Sequence, residues 1–87
     1  MPGFVYILED ENHRYYIGST TNPPKRYKRH LSGFVFTTDR MKNPKMVLCQ
    51  EFPSMKEAGR IELRLKKLKR KDYIEKIIKD GFIKMKI

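Results

Sequence analysis

The sequence predicts a small α+β domain, a three-stranded antiparallel sheet flanked by helices in the order ββαβαα. Three observations lead there. Two short β-rich runs lie either side of a five-residue polar stretch, as in a hairpin. A third such run, Lys45 to Phe52, stands alone. Three segments carry helix start and stop signals around apolar residues spaced three and four apart.

The elements follow in order. Phe4 to Leu8 (FVYIL) is apolar throughout and reads as a central strand. Glu9 to His13 is the hairpin loop and Tyr15 to Gly18 the returning strand. Thr21 or Asn22 can cap a helix from about Pro24 to Leu31, because proline in the first turn gives up no needed donor. Ser32-Gly33 would end it. Phe34 to Pro44 is an irregular basic loop, and KMVLCQEF is the third strand. Ser54-x-x-Glu57 is a capping box opening a helix whose apolar stripe is Ala58, Ile61, Leu65 and Leu68. Asp72 is a candidate cap for a last helix with Tyr73, Ile74, Ile77 and Ile78 on its inner face, stopped by Asp80-Gly81. The tail Phe82 to Ile87 is expected as a short strand or a frayed end.

Length and composition bound the function. The 87 residues are expected to form one domain over 1–87, with about 60% of the unfolded surface buried. No apolar run approaches the roughly 20 residues of a membrane span, and no signal peptide is expected. The one cysteine, Cys49, forms no internal disulfide and is expected as a small buried hydrophobe in an intracellular, cytoplasmic protein. The net charge of +10, from 20 Lys+Arg against 10 Asp+Glu, suits a polyanionic partner, and nucleic acid is the commonest one in a cell.

Within this frame a few residues invite chemistry. If the hairpin loop centres on Glu11, Tyr6 faces Tyr16 across the ladder and both phenols share one face. A slip of one residue would pair Tyr6 with Tyr15 instead. Cross-strand packing is the plainer account of two strand tyrosines. Arg26 and His30, four apart, share a helix face bordering the buried side, while Tyr27 and Leu31 look like the core-facing pair. A solvated basic stripe is the plainer account there, since Lys25, Lys28 and Arg29 adjoin. Glu62 sits at the edge of the apolar stripe of its helix, where periodicity alone suggests a surface ion pair.

The ordered set of Val5-Tyr6-Ile7, Tyr16-Ile17-Gly18 and Arg26 ten residues after Tyr16 resembles the GIY-YIG nuclease superfamily. The stretches VYIL, YYIGSTTN, KRYKRHLSG and IELRLKKLKR resemble in particular its small standalone members related to the nuclease domain of the excinuclease C subunit. The likeness runs from about residue 3 to residue 75. It implies a GIY-YIG endonuclease-like fold and a metal-dependent hydrolase of nucleic-acid phosphodiesters, of the DNA repair or processing type. Tyr6, Tyr16 and Arg26 match the motif tyrosines and the helix arginine, and Glu62 matches the metal-binding glutamate. His30 matches a histidine that some members place beside the arginine, and Gly18 matches the motif glycine. Two departures are plain. Phe4 stands where the motif's first glycine would be, and Ser19 stands where excinuclease-type members carry lysine.

The chemistry is coherent. A guanidinium at Arg26 presents a fork that matches phosphate. One hard cation, Mg²⁺ or Mn²⁺, held by Glu62 and waters would polarise the phosphate. A tyrosine is a poor base at its ordinary pKa of about 10, so Tyr6 needs a neighbour such as His30. Lys25, Arg29, Arg40, Lys66, Lys67, Lys69 and Arg70 are the expected nucleic-acid contacts, with DNA favoured over RNA and the protein a monomer or weak dimer. The alternative is a non-catalytic basic nucleic-acid-binding module of the same fold, which needs the lysines but not the glutamate.

Overall fold

A computed structural model describes residues 2–31, 41–68 and 70–83. In order they form β1 (Gly3–Glu9), β2 (Tyr15–Thr20), α1 (Pro23–Leu31), β3 (Lys45–Phe52), α2 (Met55–Leu68) and α3 (Lys71–Asp80). The expected ββαβαα order is therefore the observed one. The strands form one antiparallel sheet, β2-β1-β3, with β1 and its apolar run Phe4 to Leu8 in the centre.

The hairpin register differs from the expectation by two residues. Tyr6 pairs with Gly18, and Tyr16 pairs with Leu8. The cause is the loop. The Asp10 carboxylate accepts from the amides of Asn12 (2.9 Å) and Arg14 (2.8 Å), and His13 takes a positive φ of 59°. The turn therefore centres on Asn12 rather than Glu11. A shift of two preserves the alternation of faces, so Tyr6 and Tyr16 still share one, as diagonal neighbours.

The two faces of the sheet differ in character. On one, Val5, Ile7, Leu48 and Phe52 pack with Ala58, Ile61 and Leu65 of α2, Ile74 and Ile77 of α3, and Ile83. Tyr15, Ile17, Tyr73 and Ile78 pack against this core from its margin. Leu68, expected in the α2 stripe, is 42% exposed because it lies on the last helical turn, past the sheet. The opposite face carries Tyr6 and Leu8, both fully buried, and Tyr16.

Three helix ends are capped as the sequence suggests. Asn22 Oδ1 accepts the Lys25 amide at 3.2 Å, and Ser54 Oγ accepts the Glu57 amide at 3.3 Å. Gly81 closes α3 at φ 83°. The N-cap of α3 is Arg70 rather than Asp72, which sits in the first turn and pairs with Arg70 at 3.1 Å. In α1 the inward residue is His30, 2% exposed, while Leu31 is 55% exposed and the half-buried Tyr27 donates to the Pro44 carbonyl at 2.8 Å. The expected core pair Tyr27 and Leu31 is thus replaced by the Arg26–His30 side, because α1 rests on the tyrosine face rather than on the apolar core. Cys49 is exposed on the edge strand β3, not buried. Its neighbours still desolvate the thiol enough to push its pKa up, which disfavours the reactive thiolate. The expected helix stop at Ser32-Gly33 and the tail beyond Ile83 lie outside the described residues. No described helix is long and apolar enough to cross a membrane.

Candidate active site

The tyrosine face of the hairpin, the inner side of α1 and the edge of α2 meet along β2. Tyr6 lies flat across its register partner Gly18. A Cβ at Gly18 would collide with the phenol, coming within 2.9 Å even of Cε1. Glycine at this position therefore makes room for a catalytic-looking ring and has no turn to form.

The Tyr6 hydroxyl lies 2.8 Å from His30 Nε2 and 3.4 Å from Arg26 Nε. Arginine only donates, so the phenol oxygen accepts from Arg26 and its own proton is free to point at His30 Nε2. In the tautomer protonated at Nδ1, Nε2 accepts that proton. The Tyr16 ring completes the cluster, with its centroid 4.9 Å from the His30 ring and 6.2 Å from the Tyr6 ring.

Electrostatics follow from this packing. Burial, above all, pushes the Tyr6 pKa up to about 12, against the lowering effect of its hydrogen bond from Arg26. Tyr6 is therefore a neutral phenol at any physiological pH. Burial and then the Arg26 charge lower the His30 pKa from its ordinary 6.5, so His30 is a neutral base. The hydrogen bond to Tyr6, foremost, holds the Arg26 pKa above its usual value. The result is a neutral imidazole and a permanent cation, each in contact with the neutral phenol of Tyr6.

Glu62 reaches this cluster from α2, around the β2 edge. One carboxylate oxygen accepts the Ser19 hydroxyl, and the other pairs with Lys66 Nζ at 2.6 Å. The same ammonium stands 5.8 Å over the Tyr16 ring, linking carboxylate and aromatic cluster. The Glu62 side chain, at the edge of the apolar stripe, is 19% exposed. Among the described residues no three His, Cys, Asp or Glu side chains converge as a metal cage. A lone half-buried carboxylate with a hydroxyl beside it still fits a hard cation that keeps its waters and shares substrate phosphate oxygens. Lys66 now neutralises that carboxylate and would have to yield to such a cation.

Sequence reasoning missed the role of Ser19, whereas the ion pair it offered as the plainer account of Glu62 is present, with Lys66 as the partner. Ser19, noted only as a departure from lysine, is the partner of Glu62. It points away from Tyr6 because it pairs with Val5 on the core face, and α2 lies on that side. Lys66 is four residues after Glu62, a spacing that does signal an ion pair. The expected nucleic-acid contacts divide among surfaces. Lys25 and Arg29 line a cleft of about 300 Å³ with Arg26 at the start of α1. Lys66 and Arg70 line a groove between β2 and the α2–α3 junction. Lys67 lies apart, beside Arg60, Leu63 and Arg64. Arg40 and Lys69 lie outside the described residues.

Comparison with known proteins agrees with this fold. The family model described as the GIY-YIG catalytic domain matches residues 2–77. A UPF0213 protein of Halalkalibacterium halodurans is 39% identical over 72 residues, covering 82% of this chain and 77% of its own. One from Streptococcus pneumoniae is 38% identical over 68 residues, covering 77% and 69%. The solution NMR structure of the UPF0213 protein from Bacillus halodurans superposes with a TM-score of 0.59 at 34% identity, covering 93% of this chain and 87% of that one.

Proposed function

Because the chain belongs to the GIY-YIG catalytic-domain family, which implies nuclease activity on nucleic acid and generally a divalent metal ion, we propose that it is a metal-dependent endonuclease hydrolysing phosphodiester bonds at the Tyr6–His30–Glu62 site. The observation that carries this reading is the contact of the Tyr6 hydroxyl with a buried, neutral His30 on one side and Arg26 on the other.

The proton path follows from those roles. A water beside the scissile phosphate gives its proton to the Tyr6 oxygen as the phenol passes its own proton to His30 Nε2. No phenolate forms, so the raised Tyr6 pKa is no obstacle. The hydroxide equivalent attacks phosphorus in line, and the bond to the leaving oxygen breaks. Arg26, with Lys25 and Arg29 in the adjoining cleft, binds the phosphate and offsets the charge that builds on its oxygens. Tyr16 orients phosphate or water. Glu62 would hold one Mg²⁺ or Mn²⁺, which when bound supplies Lewis-acid help to the phosphoryl and leaving oxygens. Ser19 fixes the Glu62 carboxylate for that role.

One such site cuts one strand per visit. DNA is the favoured substrate, and repair or processing the favoured setting. The test is a panel of end-labelled branched, nicked and single-stranded DNA, with RNA counterparts, incubated with purified protein in Mg²⁺, Mn²⁺ or EDTA. Metal-dependent internal cutting of at least one substrate is expected. Tight, salt-sensitive binding with no cutting in either metal would establish the binding-module alternative instead.

A further inference from the structure

The site just described uses one face of the hairpin. The other face, at the same edge strand, holds a groove of about 430 Å³ that the proposed chemistry does not employ. Its floor is apolar, made by Ile17, Leu65 and Ile74, with the Tyr15 ring in its wall. Arg14 and Lys71 stand around it, with Lys66 and Arg70, which pair with Glu62 and Asp72 respectively. The described residues lining it include no carboxylate. An apolar floor and an aromatic ring under a rim of positive charge suit a molecule with a flat apolar body and anionic links, as in a nucleic-acid strand.

The groove is joined to the site by a single side chain. Lys66 lines the groove, yet its ammonium pairs with Glu62 and lies over Tyr16. Tyr15 and Tyr16 are successive residues of β2 and point to opposite faces. Since β2 is an edge strand, a chain passing from one tyrosine to the other must bend around that edge. A duplex, stiff over about 150 base pairs, cannot follow so tight a path, whereas an unpaired strand can.

On the premise that the substrate is nucleic acid, we infer that this groove binds an unpaired nucleotide next to the scissile phosphate, with its base on Tyr15 and its phosphates on Arg14 and Lys71. Lys71 Nζ lies 5.8 Å over the Tyr15 ring, and the Tyr15 hydroxyl donates to Glu9 at 3.4 Å. The hydroxyl contact sets the ring's tilt. The lysine marks the ring's open face and holds it only by a weak, exposed cation–π contact. An arriving base displaces the ammonium from the ring and leaves it free for the adjacent phosphate. The protein thus selects single-stranded, frayed or flapped ends over continuous duplex.

The experiment is binding in EDTA, so that cutting plays no part. Anisotropy of a labelled 12-nucleotide strand is compared with its duplex, and an abasic site is then walked along the strand. Single strand is expected to bind at least about ten-fold tighter than duplex, with one abasic position weakening it about five- to hundred-fold. Arg14→Ala and Lys71→Ala, both exposed, should weaken single-strand binding several-fold more than duplex binding. Tyr15→Ala should abolish the strand preference. Tyr15 also packs against the core, so the abasic walk, which leaves the protein intact, is the deciding arm. Equal affinity for strand and duplex, or a flat abasic walk, overturns the inference. Selective binding without any cutting would retain the groove and defeat the nuclease reading. Cutting with a flat walk would do the reverse.

Discussion

Replacing Tyr6 with phenylalanine removes one oxygen from the centre of the candidate site and leaves the ring in place. Tyr6 is fully buried, and His30, at 2.8 Å, is 2% exposed. Taking the phenol's proton away from a buried imidazole nitrogen costs about 1–3 kcal/mol. The loss at Arg26 Nε adds little, because that side chain is half-buried and its contact is long at 3.4 Å. Relief from burying the phenol itself offsets part of the loss, for a net destabilisation of about 1–2 kcal/mol. Urea unfolding followed by circular dichroism reads this directly. With a slope of about 1 kcal/mol/M for so small a domain, the midpoint should fall by about 1–2 M. A double-mutant cycle with His30→Ala should return a coupling of about 0.5–2 kcal/mol. An unchanged or raised midpoint, or zero coupling, refutes the hydrogen-bonded Tyr6–His30 pair. On a substrate that the wild type cuts, the same substitution should slow cutting about 10²–10⁴-fold, as expected for a lost proton-transfer group.

Three further outcomes follow from the same geometry. His30 has a folded pKa below its ordinary 6.5, so the unfolded chain binds more protons in the window below that value. Its share of stability is present above about pH 6.5 and lost as the pH falls, and midpoints measured between pH 7 and 5 should decline less in His30→Ala than in wild type. Tyr6 has the opposite sign. Its folded pKa of about 12 lies above the ordinary 10, so stability is lost as the pH climbs from 10, and Tyr6→Phe should flatten that alkaline limb. Gly18→Ala drives a methyl into the Tyr6 ring and should lower stability by about 1–3 kcal/mol or more, and an unaltered melting temperature would contradict the close approach.

Where local chemistry sets structure, the sequence was readable. The apolar run of β1, the Ser54 cap and the left-handed Gly81 each depend on a few adjacent residues, and each lies where its pattern put it. Register was harder, because the hairpin centre depends on an Asp10 side chain folding back on its own loop. Parity survived that error, which is why Tyr6 and Tyr16 could be placed on one face. The inner side of α1 was misjudged because hydrophobicity pointed to Leu31, whereas the helix rests on tyrosines and buries His30. Likewise, no periodicity within α2 reveals that Glu62 meets a hydroxyl 43 residues away. That contact exists only once the sheet edge and the helix are assembled. The candidate site was thus legible as a spaced set of residues with Tyr6 beside His30, and its Ser19–Glu62 contact was not.

Glu62→Gln and Arg26→Ala separate chemistry from folding. The Glu62–Lys66 pair is partly exposed and contributes at most about 1 kcal/mol, and Arg26 is half-buried with a long 3.4 Å contact to Tyr6, so both variants should stay folded. The most direct measurement of the central claim is their single-turnover cleavage rate in Mg²⁺, against wild type, on the best substrate of the panel. The account predicts wild-type cutting and a fall of at least about a hundred-fold in each folded variant. Undiminished cutting by both variants would contradict it, and so would a wild-type protein as inert as they are.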